Sequence, residues 1–88
     1  KIDLIKIDTN GFELSIIKGL IQTIKKDKPA LLVEMNKDEK NISNILKKLN
    51  YQGYFYSISQ KKFTKKKKSN ALNKYFLQKK NIKKELII

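Results

Sequence analysis

The first thirteen residues constrain the fold most. Ile2, Leu4, Ile5 and Ile7 fall on both parities of an extended run. A strand that is apolar on both faces reads as an inner strand of a parallel sheet, not as one side of a half-wet antiparallel sheet. The run ends on Asp8-Thr9-Asn10, and Gly11 supplies permissive backbone for a turn. That places a polar tip at the strand's carboxyl end, where open α/β folds gather their ligands.

A helix is expected next, to about Lys26. Leu14, Ile17, Leu20, Ile21 and Ile24 recur at three- and four-residue spacings and make one apolar stripe. Asn10 is the expected N-cap, with Glu13 three residues later reaching back in a capping box. Gly19 lies inside this helix, where glycine costs about 1 kcal/mol relative to alanine. Close packing against a strand is the expected reason. Pro29 ends the segment, and Ala30-Leu-Leu-Val-Glu34-Met35 is again apolar on both parities. Two such strands joined by a helix form a βαβ unit, expected to be right-handed.

The pattern then repeats once. Ile42, Ile45, Leu46 and Leu49 give a second helix over about Asp38 to Asn50, with acidic residues first and lysines last. Tyr54 to Ile58 is aromatic and β-prone, so it reads as a third strand. Gln60 to Asn70 is the most polar stretch and reads as a mobile hairpin connection. Asn73 to Gln78 reads as a fourth strand, antiparallel to the third because no helical pattern separates them. Residues 80–88 read as a frayed tail. The expected order is β-α-β-α-β-β: the C-terminal half of an open α/β sheet, ending in an antiparallel hairpin. The chain opens on Lys1 inside a strand, so a fragment without its N-terminal part is expected.

Composition excludes several classes. Cysteine and histidine are both absent, which removes disulfides, thiolate metal sites and the commonest general base. No metal is expected. No apolar run reaches the roughly 18 residues of a membrane span, and the expected compartment is cytoplasmic. The net charge is +13, but every basic residue is lysine. Bidentate phosphate and base contacts favour arginine's planar fork. A solvated lysine surface is therefore the first expectation, and a lysine-rich nucleic-acid-binding module the rival.

Three blocks in order carry a resemblance. They are Lys6-Ile-Asp8-Thr-Asn10-Gly11-Phe-Glu13, then Ile17-Lys18-Gly19, then Pro29-Ala-Leu-Leu-Val-Glu34. Together they resemble the C-terminal half of FkbM-type methyltransferases, strongly over about residues 1 to 36. A late Asn73 to Leu77 segment agrees as well. The resemblance implies a Rossmann-like class I sheet of order 3-2-1-4-5-7-6 with strand 7 antiparallel. This chain would supply strands 4 to 7 over residues 1–79. It also implies methyl transfer from S-adenosylmethionine to a hydroxyl of a small molecule or glycan.

Two departures follow. The Gly-rich turn and the later acidic residue that hold this cofactor are not here, so S-adenosylmethionine belongs to the full-length parent and the chain alone is expected to be inactive. The family's first Glu is Asn10 here, which can hydrogen-bond but cannot act as a base.

Asp8 and Glu34 are the candidate catalytic pair, facing one site across about 5 Å of strand separation. A group that removes or orients a hydroxyl proton would assist the transfer. The plainer reading makes Asp8 a cap for turn amides and Glu34 a structural partner. Asn10, Glu13 and Asn36 are candidate substrate contacts, with capping as the plainer role of each. Tyr54, Phe55, Tyr56, Tyr75 and Phe76 read as core or sheet-face residues, or else as a base-stacking platform. The expected partners are the acceptor and the N-terminal half of the same domain. A non-catalytic remnant of the fold is the other alternative.

Overall fold

The computed structural model describes residues 1–35, 37–66 and 73–87. The chain is a small mixed α/β domain with five strands and three α-helices among the described residues. In chain order these are β1 (Leu4–Ile7), α1 (Glu13–Gly19), α2 (Ile21–Asp27), β2 (Ala30–Glu34), α3 (Glu39–Lys48), β3 (Tyr51–Ser57), β4 (Lys62–Thr64) and β5 (Asn73–Gln78). The strands lie in the order β1-β2-β5-β3-β4. β1 and β2 are parallel, and β5 runs antiparallel to both β2 and β3 between them. β4 pairs antiparallel with the outer side of β3.

The helices cover one face of the sheet. Ile7 pairs with Val33, Leu31 with Phe76, and Phe76 with Gly53, so these positions share a face. Ile7, Leu31, Val33, Tyr51 and Phe76 form one buried cluster with Ile17, Ile24, Ile42 and Leu46 of the three helices. The stripes at three- and four-residue spacing thus meet the apolar parity of the strands, as helix and sheet periods require. Tyr51 completes this core by donating its hydroxyl to the Pro29 carbonyl at 2.6 Å. That bond fixes the start of β3 against the start of β2.

The single first helix is corrected to two of seven residues each. They part at Leu20, whose N–H donates to both the Ile16 and Ile17 carbonyls at 3.0 Å. Such a shared bond tightens a last turn, and Gly19, the weakest ordinary helix former, stands just before it. The expected close packing of Gly19 is also corrected: nothing lies within 4 Å of where its Cβ would be. α2 then stops because Lys28 takes a left-handed φ of 50° ahead of Pro29, which disfavours right-handed helix in the residue before it.

Gly53 is the glycine that close approach does require. A Cβ there would meet the Lys74 Cε at 2.4 Å and the Phe76 ring at 3.1 Å. Lys74 crosses Gly53 to reach Glu39 and Ser43 of α3, each at 3.4 Å. Its ammonium also lies 5.5 Å from the Phe55 ring centre and 5.4 Å from that of Phe76. Gly53→Ala is expected to push the end of the Lys74 chain aside and lower stability by up to about 1 kcal/mol, the worth of the part-exposed ion pair it disturbs. A urea titration of the variant measures it.

The two edges of the sheet differ. β4 lies within the stretch read as a mobile connection, which is a correction. One apolar residue, Phe63, among lysines left no alternation to detect, while 67–70 of that stretch fall outside the described residues. The far side of Phe63 receives a parallel bridge from Ile87. The tail read as frayed in fact forms two short 3-10 turns, Lys79–Asn81 and Lys84–Leu86, before that bridge.

β1 is the open edge, with a neighbour on one side only. Its expected burial on both faces is corrected too: Leu4 is 60% exposed, and only Ile7 of the strand is buried. All three helices lie across the other face; on the face that Leu4 shares with Leu32 and Tyr75, Leu4 is exposed while Leu32 and Tyr75 are half-buried. Further along that face, the rings of Tyr54, Tyr56, Phe63 and Tyr75 pack edge to face at 5.1–6.5 Å. Among the described residues no helix is long and apolar enough to cross a membrane.

Candidate active site at the carboxyl ends of β1 and β2

Parallel pairing brings two carboxyl groups together. Ile7 of β1 lies opposite Val33 of β2, so the next residues, Asp8 and Glu34, emerge side by side. The two carboxyl groups therefore share one end of the sheet, close enough for each to bear on the other's ionisation. Hydrogen bonding with the neighbouring Asp8 carboxyl is the largest influence pushing the Glu34 carboxyl above its ordinary value. Partial burial and the negative charges of Asp8 and then Glu13 add to it, while the ammonium of Lys6 opposes it.

This arrangement has a stability consequence. Glu34 binds its proton more tightly folded than unfolded, so the associated stability is fully present below the unfolded value. It is lost as pH rises through the raised folded value. Glu34→Gln is therefore expected to gain stability relative to the native chain at pH 7 and to lose that advantage at pH 4. Thermal melts at the two pH values check this, and an equal difference at both would refute it.

The turn after Asp8 is held from inside. Asn10 and Gly11 take positive φ of 53° and 109°, a region that asparagine tolerates and glycine enters freely. Glu13 is 1% exposed. Its carboxylate accepts from the Thr9 N–H at 2.9 Å, the Thr9 hydroxyl at 3.1 Å, and the Gly11 N–H at 3.1 and 3.3 Å. The capping-box expectation is corrected in its details. The residue preceding α1 is Phe12, with no side-chain cap, and Asn10 is not the N-cap. The helix starts two residues later than the motif suggests, so Glu13 reaches the amides on either side of Asn10.

The other candidates fall as follows. Asn10 is exposed on this turn. Glu13 faces inward, its carboxylate engaged by the backbone. Asn36 lies outside the described residues, just past the buried Met35. Two neighbours escaped the sequence reading. Asn73, the first residue of β5, lies opposite Glu34; only the insertion of β5 between β2 and β3 puts it there. Phe12 is 67% exposed on the same turn, and an apolar residue off the helical stripe was the one available signal.

No group of three or more acidic, histidine or cysteine residues could hold a metal ion among the described residues. Gly11, the glycine of the site's turn, already donates its N–H to Glu13, so this turn offers no free amide cradle of the kind that holds the cofactor in Gly-rich turns.

No curated protein and no solved structure matches the chain. A family model described as the methyltransferase FkbM domain matches residues 1–56, which run from the start of the chain through β1, the carboxyl pair and β2 to Tyr56 in β3. With well over half of its 88 residues matched, the chain belongs to the FkbM methyltransferase domain family.

Proposed function

We propose that this chain is the acceptor-side half of an S-adenosylmethionine-dependent O-methyltransferase acting on a hydroxyl of a small molecule or glycan. The observation that carries the reading is the Asp8–Glu34 pair, two carboxyl groups brought side by side at the ends of adjacent parallel strands. In the proposed reaction Asp8 accepts the acceptor's hydroxyl proton and Glu34 orients the hydroxyl, with Asn10 and Asn36 as further contacts. S-adenosylmethionine supplies the methyl group and is held by residues other than these. The order β1-β2-β5-β3, with β5 reversed, supports their assignment to strands 4, 5, 7 and 6 of the class I sheet. The open edge of β1 and the exposed Leu4 support a cofactor-bearing half that adds its strands there.

The basic surface gives less support to a nucleic-acid module. The rings of Tyr54, Tyr56, Phe63 and Tyr75 turn their faces and edges toward each other, which leaves no row of free platforms for successive bases.

The test is transfer of an isotope-labelled methyl group from S-adenosylmethionine by the enzyme that carries this chain, offered a panel of sugars and other polyols. Label in an ether linkage to oxygen is the expected product. Label on nitrogen or carbon, or none on any hydroxyl compound, overturns the O-methyltransferase reading.

A further inference from the structure

We propose that Glu13 is a positioning residue of the acceptor site: its buried carboxylate clamps the backbone on both sides of Asn10 and so holds Asp8 beside Glu34. The purpose of the clamp rests on the proposed reaction, but its existence does not.

The geometry argues from the backbone outward. Asp8 stands beyond the last paired residue of β1, so the ladder does not hold it. The two residues after Thr9 adopt positive φ, and a turn of this kind with a glycine has many alternatives when unrestrained. Glu13 removes them by accepting from Thr9, the residue next to Asp8, and from Gly11. Burying a carboxylate is costly unless donors replace its water. Two backbone amides and a hydroxyl do so here, and bonds to an ionised acceptor are the stronger kind.

The charge of Glu13 acts in support of this placement. The charged groups around Glu34 are Asp8 at the end of β1, Lys6 within β1 and Glu13 at the start of α1. β5 contributes the uncharged Asn73 opposite, and the neighbouring Lys74 is engaged with Glu39 of α3. A fixed negative charge at Glu13 disfavours a second ionisation in the pair, as like charges sharing a site do. Its side chain is turned into the fold, so it acts through Asp8 and Glu34 and not on the acceptor.

Two substitutions in the 88-residue chain separate the clamp from the charge. Glu13→Gln removes the charge, and the Glu34 titration midpoint, followed by carboxyl ¹³C NMR, is expected to shift down toward the ordinary carboxylate value. Glu13→Asp keeps the charge but shortens the reach, and the Thr9 and Gly11 amides are expected to exchange roughly 10- to 100-fold faster, the loss of a hydrogen bond to a charged group. A Glu34 midpoint unmoved by Glu13→Gln overturns the charge role. Unchanged amide exchange in Glu13→Asp overturns the clamp. Should either variant fail to fold, the native chain decides: Thr9 and Gly11 amides that exchange at unprotected rates rule the clamp out. None of these readings needs methyl transfer, so a failed O-methyltransferase assignment and a failed role for Glu13 are told apart.

Discussion

Asp8→Asn lowers methyl-transfer turnover by about 10²–10⁴-fold in the enzyme that carries this chain, the range for a lost general base, and leaves cofactor affinity close to native. The asparagine keeps the size of the side chain and can still hydrogen-bond, so the turn and the sheet are expected to survive. What disappears is the group proposed to take the hydroxyl proton. In the proposed reaction other residues hold the cofactor, so its binding is expected to be spared. Turnover measured beside the cofactor dissociation constant separates the two. Native turnover in the variant would remove Asp8 from proton transfer and leave it the plainer role of closing the turn.

Phe76→Ala costs about 3–5 kcal/mol, as large-to-small changes at buried aromatics do. Phe76 is buried on β5, between Leu31 of β2 and Gly53 of β3. No side chain at Gly53 can fill the void. A domain of this size has on the order of 4–13 kcal/mol in all, so a large share of the native population is lost. The expected urea midpoint falls while the slope stays constant. A loss under about 1 kcal/mol would mean that β5 is not the centre of the core.

The βαβ unit could be read from the chain because two signals agreed. Both strands are apolar on both parities, and the helical residues between them keep one stripe. That Asp8 and Glu34 end up as neighbours was readable for the same reason, since adjacent parallel strands end side by side. Other features depend on relations that a linear pattern does not hold. The break at Leu20 leaves the stripe intact, so periodicity cannot reveal it. The three residues of β4 are too few and too basic to alternate. Glu13 and Asn10 fit a capping box by spacing, yet the helix begins after Phe12, and that small displacement turns Glu13 inward. Whether a strand's second face is covered depends on what else folds against it, which the pattern of β1 alone cannot say.

The two edges of the sheet make this domain a directional unit. On the β4 side, growth is stopped by a short strand, its lysines and the bridge from Ile87, the devices by which edges avoid further pairing. The β1 side has four residues of unpaired backbone and the exposed Leu4. Any sheet built on this domain therefore extends from β1 alone. Between copies, the restraint on that extension is mutual repulsion at +13, a force with a range of about 10 Å at 0.1 M salt. Ionic strength thus controls the colloidal behaviour of the chain: raising it lets the open edges of two copies approach.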